Sequence, residues 1–104
     1  MTEKEVISNN KLIAEFMGFP VTEQHGLLVW FDFDGAKDVE YHSSWEWLMP
    51  VVEKIEKDFG GFILIHNQKC VINPNNLVKV SDTKIKATWL AIVAFITWHN
   101  QNNK

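Results

Sequence analysis

Arginine is absent from this chain. All ten basic residues are lysine, set against thirteen acids for a formal net charge of -3. Arginine supplies the bidentate guanine and phosphate contacts of most sequence-specific readers. A nucleic-acid domain also carries a basic stripe, whereas these lysines are scattered among acids, so nucleic acid is disfavoured as a partner. Cysteine occurs once, at Cys70, which excludes an intrachain disulfide and a cysteine-rich zinc site. A reduced, cytoplasmic setting fits. Long apolar runs are also lacking: the longest, ATWLAIVAFITW, has 12 residues including two threonines, short of the ~20 that span a bilayer. No signal-peptide pattern opens the chain, and the expectation is a soluble protein with no membrane association.

What remains is an ordinary globular composition, 46% hydrophobic and 22% charged over 104 residues. A chain of this size forms a single domain, here 1–104, and buries roughly two-thirds of its unfolded surface. Residues 1–5 and 100–104 are polar and are expected to fray.

Periodicity gives the elements. SNNKLIAEFMG places Leu12, Ile13, Phe16 and Met17 at helical spacing, with Ser8 or Asn9 as cap and Gly18 as stop. LLVWFDF alternates as a half-buried strand, with Leu27, Val29, Phe31 and Phe33 on the apolar side. After turn chemistry at Asp34–Lys37, DVEYH reads as a return strand with Val39 and Tyr41 inward. Ser43-Ser44-Trp45-Glu46 matches a capping box formed by Ser43 and Glu46. It opens a helix with a Trp45, Leu48, Val52, Ile55 and Phe59 stripe, a Glu53–Lys57 pair, a kink or restart at Pro50 and a stop at Gly60–Gly61. Phe62–His66 and Lys69–Asn73 form a hairpin about Asn67–Gln68. Both its sides are apolar, which predicts helices on both faces. A last helix, capped by Ser81 or Asp82, runs to about His99 with Ile85, Trp89, Ile92, Val93 and Ile96 inward. The order is helix, one or two strands, helix, hairpin, helix. This predicts an α+β fold, a three-layer alpha/beta/alpha sandwich with a small, mainly antiparallel sheet; a two-layer arrangement is the alternative.

Residues able to carry chemistry are few. LLVWFDFDG resembles the first motif of haloacid-dehalogenase-like phosphatases, which would make Asp32 the nucleophile and Asp34 the acid/base. Ala36 departs from that pattern, and no later aspartate pair follows to complete a magnesium site. Tyr41-His42-Ser43-Ser44 places a nucleophile beside a base in sequence, without a third group to orient them. His25, His42, His66 and His99 lack metal-ligand spacing. A small hydrolase or metal site around Asp32, His42 and His66 is therefore the alternative function; no catalytic residue, metal ligand or cofactor is assigned. Cys70 reads as a small apolar strand residue.

Three blocks, NNKLIAEFMG, YHSSWEWLMPVVEKIE and KIKATWLAIVAFITWHNQ, resemble the phage ABA-sandwich domain family, small phage and prophage proteins common in Bacteroides-type bacteria. The resemblance covers about 44 residues and implies an α/β sandwich without assigned catalytic residues. Lys86 and His99 stand where relatives often show an acid and a tyrosine, and Phe19–Glu40 lies outside it. The functional expectation is a non-enzymatic accessory protein of a phage or prophage in the cytoplasm of its bacterial host. It would bind a host or phage protein or itself as a homodimer, through the second apolar side of the last helix: Leu90, Ala94 and Trp98.

Overall fold

The computed structural model describes residues 2–24, 27–32, 35–60, 63–73 and 76–102. The order is α1 (Glu3–Met17), β1 (Val21–Gln24), β2 (Leu27–Asp32), β3 (Gly35–Asp38), α2 (Trp45–Phe59), β4 (Ile63–His66), β5 (Lys69–Ile72), β6 (Leu77–Val80) and α3 (Lys84–Asn102). The fold is α+β and every strand pairing is antiparallel. Among the described residues the strands make two three-stranded sheets, β1-β2-β3 and β4-β5-β6, where the sequence suggested one. Each sheet has its own principal helix. α1 packs on β1 and β2, while α3 packs most extensively on β5 and β6 and also meets α1 and α2.

α1 starts earlier than its apolar spacing indicated. Thr2 is the cap, its Oγ1 accepting from the Glu5 N–H at 3.2 Å, and Glu3 and Glu5 sit where the helix dipole favours acids. Residues 3–5 form the first helical turn. The stop is at Gly18 as expected, at φ 82°. The Gly18 N–H reaches the Glu15 carbonyl and the Phe19 N–H reaches the Ala14 carbonyl, the paired bonds of a Schellman end.

In the first sheet, β2 is central, and β1 is a strand that the sequence did not announce. Leu28, opposite the side expected to be apolar, enters the core. Val29, from the apolar side, is buried as expected, so at these two positions both faces of β2 are covered. Val39 and Tyr41 are buried as expected, although the return strand ends at Asp38.

α2 runs unbroken through Pro50 to a Gly60 cap at φ 66°. Pro50 is exposed, so its ring displaces nothing in the core. Leu48, Val51, Val52 and Ile55 are buried, but Trp45 is 36% exposed and does not belong to the inward stripe. Lys54 and Asp58 form a surface pair along this helix, at 3.2 Å.

The β4–β5 hairpin forms as read, with Asn67 at φ 53°, a conformation asparagine tolerates well. β6 extends it into a sheet. Ile63, Ile65, Cys70, Ile72 and Leu77 turn toward the core, and the opposite face is open rather than covered by a helix: Leu64 and Val78 are both exposed. α3 follows, capped by Thr83, whose Oγ1 accepts from the Lys86 N–H at 3.2 Å, in place of Ser81 or Asp82. Those two residues instead tie the hairpin turn to the helix. The Ser81 N–H donates to the Gln68 carbonyl, and Gln68 donates to the Asp82 carbonyl. α3 continues through residues 100–102, expected to fray, with the Asn102 side chain donating to the Trp98 carbonyl. Ala87, Trp89, Ala91, Ile92, Phe95 and Ile96 are all fully buried, which makes α3 the axis of the core.

Candidate functional site

The His42-Ser43-Ser44 cluster is held in a turn. The Glu40 carbonyl accepts from both the Ser43 and Ser44 N–H groups, at 3.1 and 3.0 Å. With Ser43's amide used there, α2 begins one residue later than the capping box requires. Ser44 is the N-cap, without a side-chain cap bond. Glu46 then falls at the second helical position, and the reciprocal Ser43–Glu46 pairing does not form.

His42 takes part in a chain of hydrogen bonds that anchors this turn. The buried Trp89 indole Nε1–H donates to Asn10 Oδ1 at 2.8 Å, and Asn10 Nδ2 lies 2.8 Å from His42 Nδ1. Indole can only donate, which fixes the asparagine amide, and the amide nitrogen in turn requires Nδ1 to accept. His42 is therefore the Nε2–H tautomer. Burial lowers its pKa, against a smaller opposing effect of Glu40. A histidine whose Nδ1 lone pair is already occupied by Asn10 orients structure, and the serines beside it supply only backbone bonds in the described contacts. Tyr41, fully buried against Trp47 at 5.2 Å between ring centres, has a hydroxyl with no hydrogen-bond partner among the described residues. Burial pushes its pKa up to about 12.

The other candidates occupy separate places. Asp32 ends β2 and pairs with Gly35 across an antiparallel ladder; its side chain lies outside what is described, as do Asp34 and His25. His66 ends β4, exposed, with Nε2 3.3 Å from Asn67 Nδ2. Among the described residues no three His, Cys, Asp or Glu side chains form a group able to hold a metal ion. His99 packs among Phe16, Phe59 and Phe95, where the C-terminal ends of all three helices meet. Cys70 is fully buried; burial raises its thiol pKa to about 11, partly offset by a hydrogen bond to Thr88. That is the opposite of the electropositive, accessible setting of a nucleophilic cysteine.

The surface offers hollows without assembled chemistry. One of about 380 Å³ lies against Ser8, Leu12, Glu15 and Thr97, and one of about 290 Å³ against Leu64, His66, Lys69 and Val71. The open apolar side chains are more distinctive. On α3, Trp98 is 39% exposed and rests on Phe95 at 5.8 Å. Leu90 and Ala94 are half-buried, and Leu90 packs against the core. Ala87 and Ala91, which lie beside Leu90 on the helix, are fully buried. The neighbours of α3 thus close most of that side and leave Trp98 at its open end. The second sheet exposes Leu64, Val78 and Val80 at 56%, 48% and 67%; sequence reasoning missed this face because it assigned it a covering helix. No helix among the described residues is long and apolar enough to cross a membrane. Comparison with protein-family models, with curated proteins and with solved structures finds no match to this chain.

Proposed function

We propose that the chain is a non-enzymatic protein-binding module, of the small phage or prophage accessory kind that its helix blocks resemble. It would act in the bacterial cytoplasm on a host or phage protein or on a second copy of itself. The observation that carries this reading is the set of large apolar side chains left open among the described residues: Trp98 on α3, in line with the half-buried Leu90 and Ala94, Leu64, Val78 and Val80 on the second sheet, and Trp45 and Met49 on α2. Tryptophan is enriched among residues that dominate binding energy at interfaces, and contiguous exposed apolar surface marks interaction sites. A hydrolytic or metal site around Asp32, His42 and His66 has less support, since the His42 Nδ1 lone pair is engaged by Asn10. The test is a tagged pull-down from bacterial lysate, with and without nuclease, alongside light scattering of the pure protein. A stoichiometric, nuclease-resistant partner, or a defined dimer weakened by Trp98→Ser, is the expected result. A strict monomer that retains nothing would overturn the reading.

A further inference from the structure

The second sheet has an open edge whose phase can be worked out. The Ser81 N–H donates to the Gln68 carbonyl at 3.0 Å, and the register pairs Cys70 with Lys79 and Ile72 with Leu77. In an antiparallel ladder the bonded pairs recur every second residue. Lys79 and Leu77 therefore spend their amides on β5, whereas Val78 and Val80 turn N–H and C=O away from the sheet. β6 is the terminal strand of the described sheet, so these four groups have no strand opposite them among the described residues. The side chains of the same two valines are the open apolar groups of the strand, and Lys79 between them is also exposed. The three strands carry Lys69 and Lys79 and no acid, in a chain whose net charge is -3.

From this the geometry points to β6 as a docking edge for an extended segment of another protein, one that alternates apolar residues with a carboxylate. It would add as a fourth strand beside Val78–Val80. Its backbone would bond the outward amides of Val78 and Val80, its apolar side chains would cover those valines, and its acid would stand opposite Lys79. Strand addition of this kind draws affinity from main-chain bonds and specificity from alternate side chains. A second copy of the chain is a poorer occupant. Two-fold pairing that uses the outward amides of Val78 and Val80 together centres on Lys79 and sets it against its own copy, and like charges directly opposite are unfavourable. Lysine at an edge is also a device that discourages self-pairing. This inference rests on the reading of the chain as a protein-binding module and names one surface and one partner chemistry for it.

The test titrates the full chain with a labelled nine-residue peptide of alternating valine and glutamate, and with its lysine-for-glutamate counterpart. Binding is read by fluorescence anisotropy and by amide hydrogen exchange. The glutamate peptide is expected to bind the better of the two and to slow exchange at Val78 and Val80, with little change at Lys79, whose amide is already bonded. Lys79→Glu should weaken the glutamate peptide about fivefold, as expected of cross-strand charge pairs, and favour the lysine peptide. Val78→Pro removes one outward donor without touching a β5 bond, and should abolish the added protection; Lys79→Glu keeps the test sound if that variant misfolds. Indifference to peptide charge, or protection elsewhere, would overturn the inference. So would binding to phosphatidylglycerol vesicles but to neither peptide, or concentration-dependent self-protection of the same amides. If the lysate partner is still captured by the Val78→Pro variant at full yield, the edge is wrong while the module reading stands; an empty pull-down with the unaltered chain removes the module reading itself.

Discussion

At the scale of single residues, Asn10 bears the most consequence for its size. It is buried in α1 and joins Trp89 of the last helix to His42 of the turn before α2. Asn10→Ala leaves the indole N–H buried without an acceptor and should cost about 2–4 kcal/mol, a sum of the stranded donor and the small cavity; a chemical denaturation midpoint checks it. His42 links the same bonds to pH. Its folded pKa is lowered by burial, with Glu40 opposing, so between that lowered value and the ordinary value near 6.5 the unfolded chain binds more protons. The stability this group contributes is therefore fully present above about pH 6.5 and falls as pH drops through the folded value. Protonation at Nδ1 would also place a hydrogen against the Asn10 amide. His42→Gln should flatten that part of the stability profile relative to the unaltered chain, and an unchanged profile would contradict the assignment. Tyr41 behaves differently: because its hydroxyl has no partner among the described residues, Tyr41→Phe should leave stability unchanged or raise it by up to about 1 kcal/mol. Cys70 should resist iodoacetamide at pH 8 in the folded protein and react once the chain is unfolded in denaturant.

At the scale of elements, helix ends separate what sequence pattern could give from what it could not. Gly18 and Gly60 were legible because a left-handed cap selects glycine. An added Cβ meets nothing within 4 Å at either position, so Gly18→Ala or Gly60→Ala should lose about 1 kcal/mol from backbone conformation alone. The Ser43–Glu46 box was misleading because the burial of Tyr41 and the Asn10–His42 bond, both long-range, decide where the turn ends. Thr83→Ala should accordingly cost about 1 kcal/mol, whereas Ser43→Ala and Ser44→Ala should stay within about 0.5 kcal/mol of the unaltered chain. A loss at Ser43 equal to that at Thr83 would reinstate the box. The α2 and α3 patterns and the β4–β5 hairpin were readable because each has local signals: stripes, a two-residue turn and glycine stops. β1 and β6 were not. Each has four residues, too few for period-2 alternation to stand out, and each becomes a strand only through its neighbour. The division into two sheets is likewise a matter of pairing across the fold.

At the scale of the molecule, α3 joins the parts. It packs on the second sheet, meets both other helices, and carries Phe95 and His99 into the aromatic junction with Phe16 and Phe59. Phe95→Ala should therefore cost about 3–5 kcal/mol and lower the tryptophan-fluorescence and circular-dichroism transitions together. The sequence showed that α3 is apolar nearly all round, but not which neighbour covers each side. Leu90, Ala94 and Trp98 were legible as one stripe, and only the fold shows that its closed part belongs to the core. The exposed valines of β6 were not legible as surface, because residues 77–80 were not readable as a strand at all and the hairpin beside them was expected to be covered on both faces. The claim that the molecule is a protein-binding module is tested most directly by amide hydrogen exchange on the chain alone and bound to the protein it captures from lysate. Binding should slow exchange at Val78 and Val80 or around Trp98, while the Asn10–His42 region stays unchanged. Protection confined to the His42 turn and the end of β2, with both apolar surfaces unaffected, would contradict it and return attention to a site built on Asp32 and His42.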